Sequence, residues 1–176
     1  MPRRRPIRSI QCHMNVRAAE RDDLEALRSL RNHYVASSYA TFDEQSLTPE
    51  DMQAWFRDFA QIGPHRLLVA ESSGALAGYV ASQVYRPRPA FRKTVETSIY
   101  VCPNQGGQGI GTILYTALFA AIANEGLHRA VVGIALPNDA SVRLHEKLGF
   151  TEIGIFSEYA IKNDQFISSL WMEKAL

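Results

Sequence analysis

The sequence predicts a single layered α/β domain of the mixed α+β kind, with helices on both faces of one mixed sheet. Three observations carry this. The chain has 176 residues, a length that suits one domain. Short apolar runs alternate with amphipathic stretches of helical period, in the order strand, two helices, three strands, helix, strand, helix, two strands. The junction between the fourth strand and the third helix is a glycine-rich turn, Gln105 to Thr112.

Val16 to Ala18 reads as a short first strand. Asp22 or Asp23 would cap a helix whose apolar positions are Leu24, Leu27, Leu30 and Tyr34. Thr48, Pro49 and Asp51 form a strong helix start: a Thr N-cap, a Pro at the first position and a reciprocal acid three residues on. Arg66 to Glu71 and Leu76 to Tyr85 read as a hairpin turning at Ser72 to Gly74. Pro87 and Pro89 cannot donate to a ladder and mark a loop. Thr94 to Val101 is the next strand, stopped by Pro103. Ile113 to Asn124 is a helix, with Ile110, Leu114, Leu118 and Ile122 on one face. Arg129 to Ala135 is a strand and Asn138 to Leu148 a short helix, ended by Gly149 in the left-handed region. Phe150 begins the next strand. Ile153 to Ile161 and Gln165 to Met172 read as a closing hairpin that turns at Asn163 and Asp164.

Composition excludes several classes. The net charge of +1 gives no global field for nucleic acid. Basic residues cluster in the first 13 positions, at Arg3, Arg4, Arg5 and Arg8, with no acid among them. This basic segment, 1–13, is expected to be a disordered tail ahead of a domain at 14–176, and Met14 is a candidate start. It lacks the apolar core of a secretory signal. No stretch approaches eighteen apolar residues, so no membrane span is expected. Two cysteines, Cys12 and Cys102, make no disulfide framework and fit a reducing, cytoplasmic setting. No Cys/His cluster has zinc spacing, so no metal is expected.

The glycine-rich turn carries the chemistry. Glycines between a strand and a helix expose backbone N–H groups at the positive end of the helix dipole, and a pyrophosphate suits such a site. The turn is not a Walker loop, because no lysine follows Gly109. Nor is it a dinucleotide fingerprint, because Gly107, Gly109 and Gly111 have the wrong last spacing. Taken alone, the turn is equally compatible with a glycine loop that binds nothing.

A second segment, Asn138 to Phe150, comes after the strand Ala130 to Ala135. Together the two resemble the acyl-CoA-binding motifs of the GNAT superfamily of N-acetyltransferases. The stretch from Tyr85 to Val101 resembles the phosphinothricin and methionine sulfoximine (or sulfone) N-acetyltransferase group within it. The resemblance runs from Val16 to about Met172. It implies a twisted, mostly antiparallel sheet of about seven strands, splayed where acyl-CoA binds. It also implies acetyl-CoA as co-substrate and a homodimer. The amides of Gly107, Gln108, Gly109, Ile110, Gly111 and Thr112 would hold the pyrophosphate. Ile99, Tyr100 and Val101 would pair with the pantetheine, with the Val101 N–H donating to the thioester oxygen, and Asn138 would touch the pantetheine arm. One position departs from the pattern: Gly106 stands where the family has Arg or Gln, which predicts weaker CoA affinity.

Glu96 is the only acid between Glu71 and Glu125 and sits in an apolar strand. A buried carboxylate is costly unless it is used or paired, although an outward-facing Glu would meet the same pattern. The resemblance places the general base on Glu96 and an acid or shared base on His145, where a packed histidine is the bland alternative. By the same resemblance the acceptor is the amine of a small amino-acid-like compound. Phe42, Pro89, Ala90 and Phe91 would line its pocket, with Tyr39 and the arginines Arg86, Arg88 and Arg92 nearby. Lys93, Phe166 and Ser168 depart from the relatives and loosen the acceptor assignment. The rivals are a peptide or protein N-terminal acetyltransferase, a non-catalytic acyl-CoA sensor, and a nucleic-acid binder using the arginine head.

Overall fold

The computed structural model describes residues 14–176; the basic segment 1–13, with Cys12, lies outside the described residues. Seven strands form one sheet. They are β1 (Met14–Ala18), β2 (Arg66–Ser72), β3 (Ala75–Val84), β4 (Thr94–Val101), β5 (Arg129–Ala135), β6 (Thr151–Lys162) and β7 (Gln165–Ala175), in the spatial order β1-β2-β3-β4-β5-β7-β6. Every neighbouring pair is antiparallel except β4 and β5. The helices are α1 (Leu24–Ser37), α2 (Pro49–Phe56), α3 (Ile110–Ile122) and α4 (Asp139–Lys147).

The sheet is covered on both faces, and β2 and β3 accordingly read as unbroken apolar runs rather than alternating ones. Leu67, Val69, Tyr79 and Ala81 meet Leu27 and Leu30 of α1 and Met52 of α2. Leu68, Ala70, Val80, Val95 and Ala130 meet Ile110, Leu114, Leu118 and Ile122 of α3. Alternate residues of each strand thus feed two separate cores, as the two-residue period requires.

Local chemistry sets most boundaries. The Asp51 N–H donates to Thr48 Oγ1 (3.1 Å) and the Thr48 N–H to Asp51 Oδ2 (2.8 Å), the reciprocal cap expected for α2. Ser73 and Gly74 join β2 to β3, and Asn163 and Asp164 join β6 to β7; all four have positive φ, as a two-residue hairpin requires. At Gly149 (φ 84°), the Phe150 N–H reaches the His145 carbonyl and the Gly149 N–H that of Glu146, a Schellman stop for α4.

Most element ends shift by one to three residues from the sequence expectation, and two differences have a clear physical cause. Asp23 makes no side-chain cap on α1. Its carboxylate accepts from the Glu20 N–H (2.7 Å) and from both terminal nitrogens of Arg17, whose guanidinium also reaches Glu71. A charged partner outcompetes the helix amides. The second difference is α3, which starts at Ile110 rather than Ile113. Gly111 therefore lies inside its first turn, where a Cβ would stand 2.7 Å from Leu144 Cδ2 of α4. A glycine there lets the two helices approach without displacing the Leu144 side chain.

β4 and β5 pair over only three positions, Thr94 with Arg129, Val95 with Ala130 and Glu96 with Val131. Beyond Glu96 they diverge, and β5 continues against β7 alone. This is the splay that the resemblance implies. On its other edge β4 stays paired with β3 up to Val101, opposite Gly78. A Cβ at Gly78 would lie 2.6 Å from the Tyr100 carbonyl oxygen, a backbone atom that cannot swing away. Gly78→Ala is expected to cost about 1–3 kcal/mol by overpacking, read as a fall in the urea midpoint with the slope unchanged; a wild-type midpoint would show that this close approach is not needed.

Candidate active site

The divergence leaves an edge of β4 without a strand partner. The Cys102 N–H donates to Ala77 O (2.8 Å), toward β3. Successive residues of a strand direct their N–H groups to opposite edges. Ile99 and Val101 therefore aim theirs into the splay. The Val101 carbonyl on that edge accepts from Tyr34 Oη of α1 (2.7 Å). From behind, Tyr100 stacks on Tyr79 (centroids 5.3 Å) and donates to the Ala40 carbonyl (3.0 Å). The open strand is thus held rigid by tyrosines that sequence periodicity reads only as core.

Two cavities meet at this edge. One, of about 530 Å³, runs from the splay to the glycine turn. Its wall includes Ile99, Tyr100, Val101, Gly107, Gly109, Ile110, Gly111, Thr112 and Asn138, all expected from sequence; Gln108 is in the turn but not in the wall. Gly107 (φ 77°) and Gly109 (φ 79°), the N-cap of α3, adopt the left-handed backbone that only glycine takes without strain. A Cβ at Gly106, Gly107 or Gly109 would meet no protein atom within 4 Å, so the space above the helix terminus is open to a ligand. Arg143 and Lys147, one turn apart on α4, add positive charge to this wall and were not singled out from sequence. Gln105 also lines it, with its side-chain oxygen buried and unpaired. Asn138 Oδ1 accepts from the Ser141 N–H (3.2 Å), which makes Asn138 the N-cap of α4.

The second cavity, of about 480 Å³, holds Glu96 and His145 together. They approach from opposite faces of the sheet. Glu96 shares its face with Tyr100, over α1 and α2. Thr97, the next residue, shares its face with His145, over α3 and α4. Glu96 has no hydrogen-bond or ion-pair partner among the described residues. Burial alone pushes its carboxyl up from the ordinary range. Opposite it on β3 stands the neutral Gln83.

His145 is 1% exposed. Its Nδ1 lies 2.7 Å from the Ser141 carbonyl and its Nε2 2.8 Å from Tyr115 Oη. A carbonyl only accepts, so Nδ1 carries the proton. Burial pushes the imidazole down while the Ser141 bond raises it, with the downward effect the larger, so the ring is held neutral. Tyr115 and Thr97 were not singled out from sequence; a helical tyrosine gives no sign of which ring it will meet.

Of the residues expected at the acceptor pocket, Phe42 lines this cavity. Pro89, Ala90 and Phe91 form a short 3-10 turn after β3 and are not in its wall. The guanidinium of Arg86 lies over Tyr85 and Phe91 instead. Tyr159, Gln83 and Trp171 occupy the wall, and the buried indole N–H of Trp171 has no partner. The 38–44 segment, which carries Phe42, is tied down by the buried Lys162, whose Nζ donates to the Ser38 and Thr41 carbonyls (both 2.8 Å).

The comparisons agree with this geometry. Residues 27–150 match the model of the Acetyltransferase (GNAT) family. A phosphinothricin N-acetyltransferase of Streptomyces coelicolor is 43% identical over 165 residues, covering 93% of this chain and 96% of that protein. An L-methionine sulfoximine/L-methionine sulfone acetyltransferase of Salmonella typhimurium is 31% identical, covering 93% and 95%. The solved Salmonella typhimurium acetyltransferase yncA, with its cofactor acetyl-CoA, superimposes with a TM-score of 0.88 at 31% identity, over 93% of this chain and 94% of that one. The chain belongs to the GNAT acetyltransferase family, and it is an N-acetyltransferase. Among the described residues no helix is long and apolar enough to cross a membrane.

Gly106 has φ −60° and ψ 149°, which suits any residue, and an open Cβ direction. Gly106→Arg is expected to restore a charged donor and to tighten CoA binding about tenfold. Titration calorimetry checks this; unchanged or weaker binding would show that Gly106 does not limit the affinity for CoA.

Proposed function

We propose that the protein transfers the acetyl group of acetyl-CoA to the amine of a small amino-acid-like acceptor, by direct attack in a ternary complex. The acceptor class is that of phosphinothricin, methionine sulfoximine and methionine sulfone. The observation that carries the reading is the continuous path from the amides at the α3 N-terminus, along the free edge of β4, to the unpaired carboxylate of Glu96. The amides of Gly107, Gly109, Gly111 and Thr112 suit a pyrophosphate. The Ile99 and Val101 N–H groups suit the pantetheine and the thioester oxygen. That oxygen gains negative charge as the amine attacks, so a fixed donor there favours the transition state over the ground state.

An amine reaches the enzyme largely as ammonium and must lose a proton before it can attack. Glu96 is placed to take it, directly or through a water. Among the described residues no lysine or arginine lines the acceptor cavity, so the acceptor's acidic group is met from elsewhere. A homodimer would supply it, with the Arg86–Arg92 loop of a second copy completing the pocket. Support comes from β6, the edge strand of the sheet. Together with Phe166 of β7 it leaves Ile153, Ile155, Phe156 and Ile161 more than half exposed. Sedimentation at micromolar concentration is expected to show a dimer that Phe156→Glu dissociates; a wild-type monomer would remove the shared pocket.

Thiol release from acetyl-CoA, screened over these three acceptors and the common amino acids, tests the reading; no turnover with any amine would sink it. Glu96→Gln is expected to lower kcat about 10²–10⁴-fold with the KM for acetyl-CoA unchanged. Wild-type kcat should fall as pH drops through the raised Glu96 value, because only the carboxylate accepts a proton, and the variant should lose that limb. A raised carboxylate destabilises the fold at pH values above its unfolded value. Glu96→Gln should therefore melt higher than wild type near neutral pH, and a lower Tm would mean that Glu96 is a structural partner.

A further inference from the structure

We infer that Thr97 and Tyr115 form a two-hydroxyl proton relay that couples the splay to His145, making Tyr115 and His145 positioning residues for the departing thiol. The inference rests on the acetyl-transfer reading. It comes from a buried chain of contacts. His145 Nε2 lies 2.8 Å from Tyr115 Oη, Tyr115 Oη lies 3.0 Å from Thr97 Oγ1, and Thr97 Oγ1 lies 3.4 Å from the Val131 carbonyl. His145, Tyr115 and Thr97 are 1%, 0% and 2% exposed. Thr97 is the first residue of β4 past the last pairing with β5, and it lines the cavity beside Glu96. The chain therefore ends at the splay apex, where the thioester lies on that reading. His145 also borders this cavity, but both ring nitrogens are engaged, Nδ1 by the Ser141 carbonyl and Nε2 by Tyr115, so its proton traffic runs through the two hydroxyls.

The chain has two proton arrangements. With the ring neutral, Nε2 accepts from Tyr115 and Tyr115 accepts from Thr97, which leaves the Thr97 oxygen free to accept from the cavity. With the ring cationic, Nε2 donates to Tyr115, Tyr115 to Thr97 and Thr97 to the Val131 carbonyl. Nδ1–H stays on the Ser141 carbonyl in both. Only O–H and N–H hydrogens move between them, with no change of rotamer. The titratable groups facing the ring are Tyr115 from α3 and, across the cavity, Glu96 from β4. Lys174 of β7 stops at the Phe119 ring, 5.7 Å from its centroid. Burial holds Tyr115 protonated, as a relay hydroxyl must be.

The proton balance assigns the relay a step that Glu96 does not fill. Glu96 takes the first proton from the ammonium, and solvent removes it. Attack forms the C–N bond and leaves a second proton on the now positive nitrogen. That proton passes to Thr97 Oγ1, the Thr97 proton to Tyr115 Oη and the Tyr115 proton to His145 Nε2. As the C–S bond breaks, its electron pair goes to sulfur. The relay then runs back and delivers one proton to the thiolate. The products are amide and thiol, and His145 ends neutral.

Tyr115→Phe removes one oxygen and keeps the ring that packs on Phe119 and Phe150. It is expected to lower kcat about a hundredfold without changing the KM for acetyl-CoA. It should also turn a curved rate dependence on deuterium fraction into a linear one. Thr97→Val should behave alike and Thr97→Ser should recover. Retained kcat and curvature in Tyr115→Phe overturn the relay while leaving the acetyltransferase reading intact. If Tyr115→Phe does not fold, equal kcat in the Val and Ser variants of Thr97 overturns it. A readout independent of turnover is the ¹⁵N spectrum of His145 in the protein alone. It should show a protonated Nδ1 and an accepting Nε2, and an Nε2–H tautomer at neutral pH would also overturn the proposal.

Discussion

The parting of β4 from β5 after Glu96 and Val131 is the constraint on which the site depends. Two central strands that stop pairing forfeit backbone hydrogen bonds inside a domain, where an unmet N–H or C=O is costly. Side chains meet part of that cost. Tyr34 donates to the Val101 carbonyl, and where the ladder ends the Thr97 hydroxyl lies 3.4 Å from the Val131 carbonyl, to which it can donate when its proton is not on Tyr115. What they leave unmet, the N–H groups of Ile99 and Val101, is the part an extended ligand with carbonyl groups would satisfy. On the proposed reading such a ligand would complete the sheet, and the arrangement favours an extended amide chain over a globular guest.

The rest of the molecule holds the two strands apart. Close approaches set the spacing on either side. Gly78 lets β3 lie against the Tyr100 carbonyl, and Gly111 lets α3 lie against Leu144 of α4. The first fixes β4 from its paired edge, and the second brings the mouth of α3 to the splay. Tyr79, Tyr100 and Tyr34 fill the space behind β4 with aromatic rings of few rotamers, so the exposed edge keeps its shape when empty. Lys162 adds a tether from the far end of the sheet, holding the 38–44 segment at the rim through two carbonyls. The three N–H groups of its ammonium are enough to satisfy both acceptors at once.

Much of this was legible in the sequence, and the failures have physical causes. Element order was readable because each strand and helix carries its own period and its own turn chemistry, as at Thr48 and Asp51. The start of α3 was not, because glycine at 109 and 111 signals a loop locally. Gly111 is nonetheless helical, and its lack of a side chain answers to Leu144, thirty-three positions away, whose Cδ2 a Cβ there would approach to 2.7 Å. The glycine turn and Glu96 could be singled out because each is a local anomaly, a run of glycines and a lone acid in an apolar strand. Tyr115, Thr97, Arg143 and Lys147 are ordinary residues for their elements, and their importance arises only where α3, α4 and β4 converge. Pro89, Ala90 and Phe91 show the reverse case: a conspicuous loop signal that the fold does not bring to the cavity wall.

Glu96 shows why such a site cannot be optimised for stability. A cation in place of Gln83 would pair with the carboxylate across the β3–β4 ladder and stabilise the folded anion. It would also draw the carboxyl down and weaken it as a base, since the attraction that favours the charged form opposes taking up a proton. With a neutral amide opposite and burial as the only influence, the carboxyl keeps a raised affinity for a proton, as the proposed base role requires. His145 obeys the same logic in the other direction. Burial holds it neutral and the Ser141 carbonyl fixes its tautomer, so the one nitrogen left to accept faces a hydroxyl chain rather than solvent. The two groups lie on opposite faces of the sheet, and the gap between β4 and β5 is where both border one cavity, the arrangement the proposed transfer needs.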